Sequence, residues 1–264
     1  MTIVVMVKQV PDTYAERALT VGDHSVDRDA TDAVLDEINE RALESALQLR
    51  EGDGPIAGSE VVAVTMGPDR AGDAIRKALA MGADRAVHVA DDALHGTDAL
   101  GTARVLAKTI ASIDGVDLVL AGNEASDGRC GAVPAVVAEI LGMPALTHGR
   151  ELAVEGGSVT VVRETDDGVT VISAELPAVI TVNEKVNEPR YPSFKGIMAA
   201  KKKPVTTVTI ADLGIDAGAV GLANATSEVL EMTPRPPKQA GQIVKDEGDG
   251  GAKIAEFLAA QKLL

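Results

Sequence analysis

Aromatic side chains are nearly absent from this 264-residue chain: it has no tryptophan, two tyrosines and two phenylalanines. Its core must therefore be aliphatic. Cysteine is limited to Cys130, so no internal disulfide can form, and a reducing cytoplasm is the expected setting. No apolar run approaches the roughly 20 residues needed to cross a bilayer; Ile3 to Val7 is typical of their length. The N-terminus has neither a basic segment nor a small-residue cleavage site, so no secretory signal is expected. Cations are the minority, 25 Lys and Arg against 40 Asp and Glu. A formal charge of −15 argues against general binding to nucleic acid, whose phosphates need a positive footprint. No His/Cys spacing suggests zinc, and no metal site is expected.

What is present is an ordinary hydrophobic content of 45%, enough for one large core. β-Branched runs at Ile3–Val7, Val61–Met66, Ala86–Val89, Leu118–Ala121 and Val179–Val182 read as buried parallel strands. Helical stripes lie between them: Leu35, Ile38, Ala42, Leu43, Ala46, Leu47; then Ala71 to Leu79; Leu100 to Ile110; and Val133 to Leu141. This alternation predicts a parallel α/β sheet with right-handed crossovers. Ser158–Arg163 and Val169–Ala174, joined through Asp166-Asp167-Gly168, predict an inserted β-hairpin. A short strand is expected at Val205–Ile210. The predicted domain spans residues 1–232. Beyond it lie a stiff Thr233-Pro234-Arg235-Pro236-Pro237 linker, a polar glycine-rich stretch and an amphipathic helix at Ala252–Leu264. This arm, residues 233–264, is too small for a core of its own. It docks back or embraces a partner, and the second is the expectation.

Two segments stand out. The run Leu118 to Pro134 reads as a strand, then a loop with Gly122, Gly128 and Gly131, then a helix starting near Val133. Ligands of parallel α/β sheets bind beyond the carboxyl ends of strands. A glycine loop entering a helix N-terminus offers free N–H groups to a phosphate, and Arg129 adds charge. An ordinary βα connection would look the same, so both readings stay open. Met66-Gly67-Pro68 and Lys8-Gln9-Val10-Pro11 follow other strands and are candidate further walls of one crevice. The other segment, Glu184 to Pro204, sets six cations against two carboxylates in an acidic chain and holds half of the aromatics, Tyr191 and Phe194. It is either a docking anchor with a basic rim or a loop whose aromatics fold back on the domain. Catalytic groupings are thin. His24, His88, His95 and His148 are scattered, with His88 expected as a satisfied core residue. Cys130 has no neighbouring base, and no nucleophile elbow is present.

Leu176 to Val182, then Asn187-Glu188-Pro189-Arg190-Tyr191-Pro192-Ser193, then Ile197 to Pro204, closely resembles the signature of electron transfer flavoprotein β subunits. Val5 to Asp12, Ala78 to Arg85 and Asp117 to Gly122 resemble other motifs of that family, so the likeness runs over nearly the whole chain. The resemblance implies an adenine-nucleotide-hydrolase-like, Rossmann-like fold and no enzyme activity. It implies a heterodimer with an α subunit that holds most of the FAD. Electrons would pass from flavin dehydrogenases, such as the acyl-CoA dehydrogenases of fatty acid oxidation, to a membrane quinone oxidoreductase, with no membrane insertion. AMP would be structural, although electron-bifurcating relatives place a second FAD in that position. Matched by position, the AMP pocket falls on Met6, on Asp36, Glu37, Ile38 and Asn39, on Met66, and on Gly122, Asn123, Glu124, Ala125, Ser126, Asp127, Gly128, Arg129, Cys130, Gly131, Ala132 and Val133. The family's recognition loop falls on Tyr191, Pro192, Ser193, Phe194, Lys195, Gly196, Ile197 and Met198, with Phe194 where other members often carry leucine. Three departures stand out. Asp36-Glu37-Ile38 replaces a common Asn-Pro-aromatic, Ala132 replaces a usual Gln, and Pro134 replaces a Gly. Backbone N–H contacts need no particular side chain, so only Pro134 removes one. A stand-alone adenine-nucleotide enzyme or stress protein of the same fold is the alternative from another class. Lys8-Gln9-Val10-Pro11 lacks the Ser-Gly-Gly of ATP-pyrophosphatases, and Leu141-Gly142-Met143 lacks the stress-protein ending.

Overall fold

The computed structural model describes residues 1–23, 25–233, 236, 241 and 243–263. The chain divides into two units, Met1–Val229 and Leu230–Leu264. The first unit is built on a nine-stranded sheet in the order β11-β5-β4-β1-β6-β10-β7-β8-β9. Its parallel part comprises β1 (Thr2–Met6), β4 (Glu60–Met66), β5 (Arg85–Val89), β6 (Val116–Gly122), β10 (Ala178–Val182) and the edge strand β11 (Val205–Val208). The predicted strands are present; the first five are shifted or extended by one to two residues at an end, and β11 stops two residues short of its predicted end. A separate two-stranded ribbon pairs β2 (Gln9–Pro11) with β3 (Ala33–Leu35).

Four helices cover the sheet: α1 (Glu37–Glu51), α2 (Gly72–Met81), α3 (Ala99–Ala111) and α4 (Val133–Leu141). Successive strand residues face opposite sides, which sorts β1 into two cores. Ile3 and Val5 join Leu43 and Leu47 of α1 and Ile75 and Leu79 of α2. Val4 and Met6 join Leu106 and Ile110 of α3 and Val137 of α4. Burial on both faces explains the continuous aliphatic runs. His88 is buried in β5, with Nε2 3.0 Å from the Gly67 carbonyl, as expected of a satisfied core histidine.

The expected hairpin is larger than its sequence suggests. β8 (Ser158–Thr165) and β9 (Gly168–Glu175) pair antiparallel, and β7 (Ala145–Glu155) precedes them, so the insertion is a three-stranded meander. β7 begins parallel to β10 and shifts register near Gly149. Its polar centre, His148-Gly149-Arg150-Glu151, hides its strand character. The basic segment, in which two prolines and a glycine preclude a long regular element, contains a seven-residue helix, α5 (Phe194–Ala200), N-capped by Ser193.

The second unit carries α6 (Gly250–Ala260), two residues earlier than predicted at its start. Asp246 accepts hydrogen bonds from the Gly248 and Gly250 amides ahead of it. Pro234, Arg235 and Pro237 of the proposed linker, and His24, lie outside the described residues. Among the described residues, no helix is long and apolar enough to cross a membrane.

Leu43 is fully buried between α1 and the sheet. Leu43→Ala is expected to cost about 2–5 kcal/mol through lost burial and a cavity. Denaturant unfolding checks this, with the midpoint falling and the slope unchanged.

Candidate functional site

The chain runs from β1 outward to β4 and β5, then returns to place β6 and β10 on the other side of β1. That reversal opens a crevice at the carboxyl ends of the strands, the usual ligand position in such sheets. A cleft of about 150 Å³ lies there. Met6 ends β1, Met66 ends β4, and Ala121 and Gly122 end β6; all four line it. Asn39 of α1 lines it too, with Glu124, Ala125, Asp127, Gly128, Arg129, Cys130, Gly131 and Val133 of the glycine loop. These are twelve of the positions matched by sequence, if Ala121 is set aside.

Six matched positions do not face the cleft. Asp36 is fully buried beneath the loop and uses both carboxylate oxygens on backbone. Oδ1 accepts from the Ile38 and Asn39 amides and so caps α1. Oδ2 accepts from the Ser126 amide at 2.8 Å. Asp36 is therefore a brace between helix and loop, not a lining group. Glu37 and Ile38 belong to the helix start, and Asn123, Ser126 and Ala132 to the outer turns of the loop. Asn123 Oδ1 and Ser126 Oγ are buried without a hydrogen-bond partner among the described residues. Gly122 is required by close packing: a Cβ there would stand 2.6 Å from Asn39 Nδ2 and 3.0 Å from Ile38 Cγ2.

At the far end of the loop, α4 begins without a side-chain cap and with no acidic residue in its first turn. In contrast, Asp36 caps α1 and Asp98 caps α3. An uncapped start leaves N–H groups and the positive dipole end pointing at the cleft mouth. A Cβ at Gly128 would meet nothing within 4 Å, so the loop backbone is open to a ligand.

Cations near the loop are already partnered. Lys8 Nζ lies 2.9 Å from Asp127 Oδ1, and Arg28 Nη2 lies 2.7 Å from Asp127 Oδ2. Asp127 Oδ1 also accepts from the Gly128 amide. Burial pushes the Asp127 carboxyl up, but the Lys8 and Arg28 charges and hydrogen bonds outweigh it and hold the group below the ordinary carboxylate value. Arg129 pairs with Glu124 at 3.3 Å. Sequence reasoning missed Arg28, which reaches the loop from the excursion between β2 and β3. It also missed Thr102, Leu106 and Val64 as lining groups; Leu106 and Val64 gave a signal only as parts of an apolar stripe and a buried strand, and Thr102 gave none. Lys8 does line the cleft, as its place after β1 suggests.

The second candidate surface is α5 and its stem. Phe194 is 80% exposed and Tyr191 96%, so neither aromatic folds back. Ile197 and Met198 are also exposed. Two of the basic residues are not rim. Arg190 is engaged by Glu44 and Glu51, and these hydrogen bonds, with Glu51 foremost, push its pKa further up. The Arg190 contact in turn holds Glu51 below the ordinary value. Lys203 Nζ donates to the Leu79 and Ala83 carbonyls at 2.9 and 2.6 Å, closing the end of α2. Burial pushes the Lys203 ammonium pKa down.

A family model described as an electron transfer flavoprotein domain matches residues 23–213. The electron transfer flavoprotein subunit beta of Mycobacterium tuberculosis is 60% identical over 265 residues, 99% of either chain. The chain belongs to the electron transfer flavoprotein family, on its β-subunit side. An electron transfer flavoprotein subunit beta from Megasphaera elsdenii is 35% identical over 274 residues, all of both chains. A subunit named for the caffeyl-CoA reductase-Etf complex of Acetobacterium woodii is 36% identical over 244 residues, 92% of each. Membership makes this an electron-carrier subunit of a flavin-associated family. Among the described residues, no group of three or more His, Cys, Asp or Glu is placed to hold a metal.

Two outcomes follow from this geometry. The Asp127 carboxyl has a lowered folded pKa, so its contribution to stability is complete above its unfolded value of about 3.9 and disappears as pH falls through the folded value. Asp127→Asn is expected to flatten the acid limb of stability against pH, read by thermal unfolding between about pH 5 and 2. Gly196 packs α5 onto α2, where a Cβ would stand 2.4 Å from the Ala80 carbonyl oxygen. Gly196→Ala should displace α5 at a cost of about 1–3 kcal/mol, seen as faster amide exchange across residues 194–200.

Proposed function

We propose that this chain is the β half of a heterodimeric electron carrier working in the cytoplasm. It holds AMP in the cleft and helps to hold FAD where it meets the α subunit. Electrons enter from flavin dehydrogenases, such as acyl-CoA dehydrogenases, and leave to a membrane quinone oxidoreductase. Residues 233–264 are the arm that embraces the α subunit. Side-chain catalysis has no part in this role.

The observation that carries the nucleotide assignment is the uncapped start of α4 above the ends of β1, β4 and β6. The cleft has two characters that suit AMP. Its floor is apolar, with Met6, Val64, Met66 and Leu106 fit to cover a purine. Its mouth offers backbone N–H groups to one phosphate. With Lys8, Arg28 and Arg129 all neutralised by carboxylates, side-chain charge has little left for a longer polyphosphate. The Asp36-Glu37-Ile38 stretch offers no aromatic ring to a flavin, in keeping with an α subunit that holds most of the FAD.

The docking assignment rests on Phe194, exposed together with Tyr191, Ile197 and Met198 in the most basic stretch of an acidic chain. A single apolar anchor ringed by Lys195, Lys201 and Lys202 suits a brief encounter with an acidic partner surface. Short contact with fast release is what a shuttle requires.

The chain co-purified with its α subunit and then denatured should release one FAD and one AMP per heterodimer. Two flavins would give the cleft to a second FAD, the bifurcating arrangement. Release of no adenine nucleotide would overturn the reading. Phe194→Ala is expected to raise the dehydrogenase KM for the carrier about tenfold, the effect of losing one buried anchor, with both nucleotides retained. Unchanged dehydrogenase kinetics would remove the anchor role.

A further inference from the structure

The stem of the docking helix, residues 187–193, has no regular secondary structure. Its order must come from side chains, and their partners converge on one helix. The Asn187 amide donates to the Arg41 carbonyl at 3.0 Å and to Ser45 Oγ at 2.8 Å. The Arg41 guanidinium donates back to the Asn187 carbonyl. Three residues on, Arg190 makes two forked contacts with α1. Nε and Nη2 meet the Glu44 carboxylate at 2.7 and 3.0 Å; Nη1 and Nη2 meet Glu51 at 2.8 and 2.9 Å. The Arg190 amide donates to Glu44 as well, at 3.2 Å. Arg41, Glu44 and Ser45 lie within one turn of α1, and Glu51 ends it.

Glu44 is only 4% exposed, and a buried carboxylate requires a cation and a full set of hydrogen bonds. Arg190 supplies the ion pair, and the Gln48 amide donates the remaining contact at 3.1 Å. Only a guanidinium presents donors in a planar fork that serves two carboxylates at once. Facing two carboxylates, Arg190 has no positive charge to offer a partner; Lys195, Lys201 and Lys202 carry that field.

We propose that Arg190 is a positioning residue for electron transfer, fixing the stem of the docking helix to Glu44 and Glu51 so that Phe194 is held in its binding position before a dehydrogenase arrives. An anchor on a loose loop would lose conformational freedom at every encounter, and a clamped stem has already lost it on folding. The inference rests on the docking role proposed above for Phe194. Its signature is a weaker encounter with an intact redox centre.

The test uses the heterodimer, reduced by an acyl-CoA dehydrogenase and its acyl-CoA. Arg190→Gln is expected to raise the KM for the carrier about tenfold, with kcat within about twofold and flavin content unchanged. Because that change strands the buried Glu44, a second variant is read beside it. Glu51→Gln weakens the outer fork and a surface contact with Arg50, leaves Glu44 paired, and should raise KM about threefold with the melting temperature little changed. Arg190→Lys should recover only part of the loss, since an ammonium cannot hold both carboxylates bidentately. Wild-type KM in Arg190→Gln, alongside a raised KM in Phe194→Ala, would overturn the positioning role alone. So would a KM that rises only in step with lost flavin. Unchanged KM in Phe194→Ala would instead bring down the docking reading, and this inference with it.

Discussion

A buried carboxylate bonded at both oxygens is the joint on which the two candidate surfaces depend. Asp36 caps α1 with one oxygen and holds the Ser126 amide of the glycine loop with the other. Burial makes these bonds strong, because the charge has no water to fall back on. The loop is thereby fixed to α1, and α1 is fixed to the sheet by Leu43 and Leu47. About 12 and 22 Å along the same 15-residue helix, Glu44 and Glu51 hold the stem of α5. One helix thus braces the proposed nucleotide loop at its start and the proposed docking element along its middle and end.

The two surfaces differ in their electrostatics. Around the cleft, Asp127 and Glu124 answer Lys8, Arg28 and Arg129, so any phosphate there depends chiefly on backbone N–H groups and the α4 dipole. Such donors are fixed by the fold and tolerate changes of side chain, which is why Ala132 in place of Gln is no obstacle. Pro134, lacking an N–H, removes one donor from the first turn. Around α5 the pattern is reversed: the stem cation is neutralised and the lysines of the helix end stay in water. Positive charge on an otherwise acidic chain is therefore concentrated beside the exposed Phe194.

The parallel sheet and its four covering helices were legible in the sequence because each strand is buried on both faces and each helix on one. β7 was not, since His148-Gly149-Arg150-Glu151 breaks the apolar pattern where the strand changes partners. Helix α5 was hidden by Pro192 and Gly196, although Pro192 precedes it and Gly196 serves its close approach to α2. The loop was legible from the strand–glycine–helix order and Met66 from its place at a strand end, whereas Met6 came from the family resemblance alone. Arg28 was not, because it arrives from an irregular excursion with no periodic signal. Asp36 was matched as a pocket residue and is a brace beneath the pocket. Arg190 and Lys203 belong to the most specific motif of the chain and hold backbone and carboxylates together, so a strong signature can mark a scaffold as well as a contact surface.

The central claim is that backbone N–H groups at the start of α4 hold a nucleotide phosphate, and amide hydrogen exchange on the heterodimer tests it most directly. The account predicts slow exchange across residues 128–133 in the nucleotide-loaded protein. It predicts loss of that protection when the nucleotide is removed, with the amides of β1 and β6 unchanged. Exchange across 128–133 that is the same with and without nucleotide would contradict it.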